Sequence, residues 1–121
     1  MAFKFEKLAI WNRALELSNQ IHLLTRMFPK DEMFILTSQL KRAADSISLN
    51  IAEGSTGQSN SEQARFIGYA QRSALEVVNG LFLAKSRFYI NDIVFIENYQ
   101  RLETFIIMIQ AFKRVLQQRT Q

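Results

Sequence analysis

The sequence predicts an all-α protein, an antiparallel up-down-up-down four-helix bundle formed by one domain over residues 1–121. Three observations carry that prediction. The chain has one proline and four glycines, so few positions interrupt a helix. Apolar residues recur at three- and four-residue steps in four successive segments, the spacing of one helical face. The polar stretches between those segments are short, which makes consecutive helices antiparallel neighbours. No alternating strand pattern, internal repeat or low-complexity tract competes, and 121 residues suffice for one core.

The first helix is expected over about 5–27. Its apolar positions are Leu8, Trp11, Ala14, Leu15, Leu17, Ile21, Leu24 and Phe28. Pro29 ends it, because proline disfavours helical geometry at the residue before it. The second helix is expected from Asp31, whose carboxylate, with that of Glu32, suits the positive end of a helix dipole. Met33, Leu36, Leu40, Ala43, Ala44, Ile47 and Ile51 fall within an arc of roughly 100°, and Gly54 reads as its C-terminal stop. A polar loop follows over 55–60. Ser59 and Glu62 then match a capping box, opening a third helix to about residue 88 with Phe66, Ala70, Ser73, Val77, Leu81, Ala84 and Phe88 facing inward. Asn91 caps a fourth helix, which buries Leu102, Phe105, Ile106, Ile109, Phe112 and Leu116 and runs to about residue 117.

The last two helices carry more apolar surface than one bundle needs. Ala64, Leu75, Val78 and Phe82 lie off the core arc of the third helix; Thr104, Ile107, Met108, Ala111 and Val115 lie off that of the fourth. Soluble monomers rarely expose so large a patch. The sequence therefore predicts self-association, with Leu75, Val78, Phe82, Ile107, Met108, Ala111 and Val115 at the oligomer interface.

A polar ladder flanks the core stripe of the second helix: Gln39, Arg42, Ser46, Asn50 and Glu53. Arg65, Arg72 and Glu76 line the facing flank of the third. Arg42 with Glu76, and Arg72 with Glu53, are the available ion pairs. The ladder reads as a solvated face, as a partly buried network between helices or subunits, or as a ligand or nucleic-acid site.

Chemistry is sparse. With no cysteine, disulfides and thiolate catalysis are excluded. His22 is the sole histidine, so neither a paired Glu-x-x-His di-iron site nor a zinc cluster can be assembled. No Ser-His-Asp arrangement is visible in the spacing. The Gly54-Ser55-Thr56-Gly57 turn follows a helix and lacks the lysine of a phosphate-binding loop. The expectation is no enzyme, no metal and no cofactor. The N-terminus mixes charge with aromatics, unlike a signal peptide, and no apolar run reaches the length of a membrane span. Fifteen Lys and Arg against eleven acids give a net charge of +4, a mild bias toward anionic partners. Lys41, Arg42, Arg65, Arg72, Lys113 and Arg114 are the candidate phosphate contacts, and a symmetric oligomer would repeat them around its axis.

Several short motifs carry a family resemblance. They are Leu8-x-x-Trp11 with Ala14 and Leu17, Phe28-Pro29 followed by Glu32, and Gln39-Leu40 with Arg42-Ala43-Ala44. The most specific are Ser46-Ile47 and Asn50-Ile51-Ala52-Glu53-Gly54; Ala70, Ser73 and Glu76 agree. On these residues nearly the whole chain resembles the four-helix-bundle proteins encoded in intervening sequences of bacterial 23S rRNA genes, the S23 ribosomal protein family. Ile35 stands where that family usually has glycine and Ser48 where it commonly has proline, so the second helix is expected to differ locally. The resemblance implies a homo-oligomer, a pentamer in particular, in the bacterial cytoplasm, without an established activity. The accessory variability proteins of diversity-generating retroelements are similar in fold; they work with a reverse transcriptase and bind nucleic acid through a basic surface. The leading expectation is thus a non-enzymatic homo-oligomer that binds RNA or DNA as an accessory factor. Its rival is a protein–protein scaffold without nucleic-acid affinity. A small-ligand carrier is disfavoured by the bulky core stripe, and an apolar cavity would revive it.

Overall fold

The computed structural model describes residues 2–57 and 59–119. Four helices pack in chain order: α1 (Ala9–Leu24), α2 (Ser38–Ser55), α3 (Asn60–Ser86) and α4 (Asp92–Arg119). Ser46 meets Ser73 and Leu40 lies on Gly80, so α2 and α3 are antiparallel. Phe82 meets Phe95 edge to face while Lys113 crosses Gly68, so α3 and α4 are too. At about 1.5 Å per residue, the 28 residues of α4 extend about 42 Å. The predicted stripes form the core: Ala14, Leu17 and Ile21 from α1, Leu40 and Ile47 from α2, Val77 and Leu81 from α3, Leu102, Phe105 and Ile109 from α4.

The helix ends depart from the periodicity. A 3₁₀ turn at Lys4–Lys7 precedes α1, separated from it by extended Leu8. Another at Thr25–Met27 closes the helix, with the Thr25 hydroxyl donating to the His22 carbonyl at 2.8 Å. The segment expected to open the second helix at Asp31 is instead a 3₁₀ turn, Lys30–Glu32, followed by a π-helical turn, Met33–Thr37. Ile35, one of the two departures from the family pattern, sits in that π turn. The wider turn leaves Met33 exposed and Leu36 buried.

Gly54 does not stop α2. The helix runs past it to Ser55, and a Cβ on Gly54 would stand 2.7 Å from the Cβ of Phe66. Its role is close packing: α2 and α3 touch there. Gly80 does the same near the other end, where a Cβ would meet Leu40 Cδ2 at 2.3 Å. The Ser59 hydroxyl accepts from the Glu62 N–H at 3.1 Å, which is one half of the expected box, and Glu62 turns toward Arg65. Asn91 caps α4 as expected, accepting from the Val94 N–H at 2.8 Å.

Phe88 is the clearest correction. Expected inside, it is 93% exposed. The α3 helix ends at Ser86 in a Schellman motif: the Tyr89 N–H donates to the Ala84 carbonyl at 2.9 Å and the Phe88 N–H to the Lys85 carbonyl at 3.0 Å. That motif needs a left-handed residue, usually glycine, and Phe88 supplies it at φ 63°. The reversal turns Tyr89 and Ile90 back onto the bundle and Phe88 out. Two stripe assignments also shift. Leu15 is exposed, and Ala64, placed on the outer stripe, is buried at 5%.

Candidate functional site

The sequence points to three surfaces: the polar ladder, the basic residues and the outer apolar stripes. On the polar ladder, Gln39, Arg42 and Ser46 share a groove of about 470 Å³ with Glu76. The part that crosses between helices is a hydroxyl pair, Ser46 to Ser73 at 2.6 Å, while Ser46 also lies 2.9 Å from the Ala43 carbonyl. Asn50 turns back onto its own helix and donates to the Ser46 carbonyl at 2.8 Å. The anticipated ion pairs Arg42–Glu76 and Arg72–Glu53 do not form among the described residues. Arg72 instead sits 5.9 Å from the centre of the Tyr69 ring, an exposed contact that needs no carboxylate.

The basic residues divide. Arg65 of α3 and Lys113 of α4, 48 positions apart in the chain, line one concavity of about 280 Å³ with Ser61, Ala64 and Gln117. Gly68 makes this possible, since a Cβ there would stand 3.1 Å from Lys113 Nζ. The Arg65 guanidinium lies 5.7 Å from the Phe66 ring centre and 4.0 Å from Glu62, at the limit of an ion pair. Arg114 is exposed beside Lys113. Arg72 is two turns along α3. Lys41 and Arg42 lie opposite the Gly80 region, about 20 Å from Arg65 at about 1.5 Å per residue. The six cations thus form one two-helix cluster, Arg65 and Lys113 with Arg114 beside them, and three outliers, Arg72, Lys41 and Arg42.

The predicted oligomer interface also splits. Leu75, Val78 and Ile107 line a groove between α3 and α4 of about 280 Å³, with Tyr99, Glu103 and Ile106. Leu75 and Ile107 are 54% and 62% exposed. Phe82 continues this face, meeting Phe95 and Tyr99 edge to face with ring centres 4.8 and 6.1 Å away. Met108, Ala111 and Val115 belong elsewhere: they line a separate cavity between α4 and the N-terminal turn.

Two polar clusters escaped the sequence reading. Buried Glu32 accepts from Arg87 Nη1 at 3.0 Å and from the Tyr89 hydroxyl at 2.7 Å. This ties the α1–α2 connection to the α3–α4 connection. The Tyr89 hydrogen bond, helped by the Leu36 backbone and Arg87 and opposed by burial, holds the Glu32 carboxyl below its ordinary range. The same bond to Glu32, with burial, pushes the Tyr89 phenol up. Only long-range pairing identifies these partners, and no local spacing signals it. Second, Ser18 and His22 of α1 both reach Oδ1 of Asp45 on α2, His22 Nε2 at 2.9 Å. Their i, i+4 spacing was a readable signal for a shared partner. Both groups converge on one carboxylate oxygen and the imidazole does not bridge serine to aspartate, so the geometry is that of a clip between helices and not of a proton relay.

Among the described residues, no group of three or more His, Cys, Asp or Glu could hold a metal ion. No described helix is long and apolar enough to cross a membrane.

Comparison with known proteins bears on most of the chain. The family model described as 23S rRNA-intervening sequence protein matches residues 6–111. A solved structure of a protein with unknown function from the S23 ribosomal protein family of Bacteroides thetaiotaomicron VPI-5482 has a TM-score of 0.80 to this chain at 20% sequence identity, covering 87% of this chain and 98% of that one. At that identity the likeness speaks for the fold. No curated protein matches the chain.

Proposed function

We propose that this chain, which belongs to the 23S rRNA-intervening sequence protein family, is a non-enzymatic homo-oligomeric bundle that binds RNA or DNA through basic clusters repeated on each copy. The observation that carries the reading is the convergence of Arg65 and Lys113 on one concavity whose lining, among the described residues, contains no carboxylate, with Glu62 outside it at 4.0 Å from Arg65. A phosphate oxygen held between an ammonium and a guanidinium, with the Ser61 hydroxyl beside them, is a charge-assisted contact. A net charge of +4 per chain is modest. Self-association multiplies it, and the affinity then rises with the number of phosphates neutralised. The apolar groove of Leu75, Val78 and Ile107, continued by Phe82, is the surface assigned to that association, since patches of this kind on soluble proteins mark partner contacts. Binding is led by backbone charge and shape, because no base-reading motif accompanies the cluster.

The test is a titration of a structured RNA hairpin with the full chain at about 50 mM and about 200 mM salt. Affinity should fall steeply with salt, and replacing Arg65 and Lys113 together by glutamine should lower the log–log slope by about two. Absent binding at low salt, or equal affinity at both, contradicts the reading. The α3–α4 groove favours one rival: a scaffold that assembles through it and recruits other proteins, a reverse transcriptase among the candidates, with no nucleic-acid affinity. The same titration separates the two.

A further inference from the structure

We infer that the cavity at the open end of the α1–α4 seam binds a small amphiphilic anion, an apolar chain or ring bearing one carboxylate or phosphate head. The cavity is about 650 Å³, within the roughly 300–1,000 Å³ of small-molecule sites. Its composition is divided in the way such a ligand requires. Leu8, between the N-terminal turn and α1, and Met108, Phe112 and Leu116 from α4 make apolar walls. Lys4 and Arg119 bring two cations to the lining, and Asn60 adds an amide at the start of α3. Among the described residues, no carboxylate lines it. The acids nearest in sequence are engaged elsewhere: Glu6 accepts from the Phe3 N–H at 2.6 Å, and Glu62 lies toward Arg65. Neither Lys4 nor Arg119 takes part in an ion pair among the described residues. An anionic head therefore finds in the lining two cations that pair with no acid among the described residues, while its tail removes apolar wall from water.

This site is distinct from the Arg65–Lys113 cluster and goes beyond the nucleic-acid reading. It takes Met108, Ala111 and Val115, which the periodicity assigned to self-association, as parts of a ligand site.

The experiment is ligand-detected NMR on the full chain, without RNA, using octanoate, octyl phosphate and the neutral 1-octanol, each below its micelle concentration. The expected result is saturable binding of at least one anion at one per chain, about five-fold tighter than the alcohol. The octanoate and octyl phosphate arms decide which head group the cations prefer. Lys4→Gln combined with Arg119→Gln should erase the gap between anion and alcohol. Ala111→Trp, at an exposed position lining the cavity, should fill it and abolish binding of both, with helicity by circular dichroism unchanged. Failure of both anions to saturate, equal binding of anion and alcohol to the unmodified chain, or unchanged binding after Ala111→Trp overturns the proposal.

Discussion

Two seams of this bundle, α2–α3 and α1–α4, are built on opposite terms. Between α2 and α3 the backbones touch, because Gly54 and Gly80 leave no room for a methyl group and Ser46 meets Ser73 directly. Between α1 and α4 the chain places leucine, methionine and phenylalanine where small residues would be needed for such an approach. The helices stand apart there, leaving the 650 Å³ cavity at one end and a second of about 270 Å³, lined by Leu24, Val94 and Asn98, toward the other. Small residues thus decide which pair of helices approaches closely and which pair retains space for something else. Interiors tolerate added volume only where space exists.

Adding carbon to each seam breaks or sharpens this contrast. The largest effect is expected for Gly80→Ala. Its new methyl must displace buried Leu40, at a cost of about 1–3 kcal/mol by urea denaturation, more than the helix-propensity gain of about 1 kcal/mol returns. An unchanged midpoint would mean that the α2–α3 seam is not tight. Next is Phe88→Gly, where the left-handed cap is relieved. Stability should rise by about 1 kcal/mol in thermal melts, the scale of the left-handed penalty for a residue with a side chain. A fall would show that exposed Phe88 makes a contact absent from the isolated chain. Ala111→Leu, on the open seam, should stay within about 0.5 kcal/mol of the unmodified protein.

The end where both seams meet is pinned by Glu32, and pH tests it. The Glu32 carboxyl titrates lower in the fold than its ordinary 4.5, so its contribution is present above that value and lost as the pH falls through the folded value. The Tyr89 phenol titrates above its ordinary 10.0, so its contribution holds below that value and is lost as the pH rises through the folded one. Melting temperature should therefore decline on both sides of a neutral plateau. In Glu32→Gln the acid limb should be shallower; an identical acid limb would dismiss the pairing.

Much of this architecture was legible in the chain. The four stripes, the break at Pro29 and the cap at Asn91 follow from rules that operate within a few residues. What escaped depends on contacts made across the fold. Phe88 reads as one more inward position because the usual sign of a left-handed cap is a glycine, and none is there. Gly54 reads as a stop because its partner, Phe66, lies on another helix. Glu32 reads as a dipole charge, while its hydrogen-bond partners stand more than fifty residues away. The basic residues were visible individually. Which of them meet was not, since the Arg65–Lys113 cluster depends on Gly68 lying under a lysine side chain of another helix.

Self-association stands beneath the proposed function, and native mass spectrometry of the full chain at low salt, with and without a structured RNA, tests it most directly. The account predicts a species at several multiples of 14.1 kDa, five copies if the family resemblance extends to ring size, that gains the mass of RNA when RNA is present. A single 14.1 kDa species, unchanged by RNA, would contradict it.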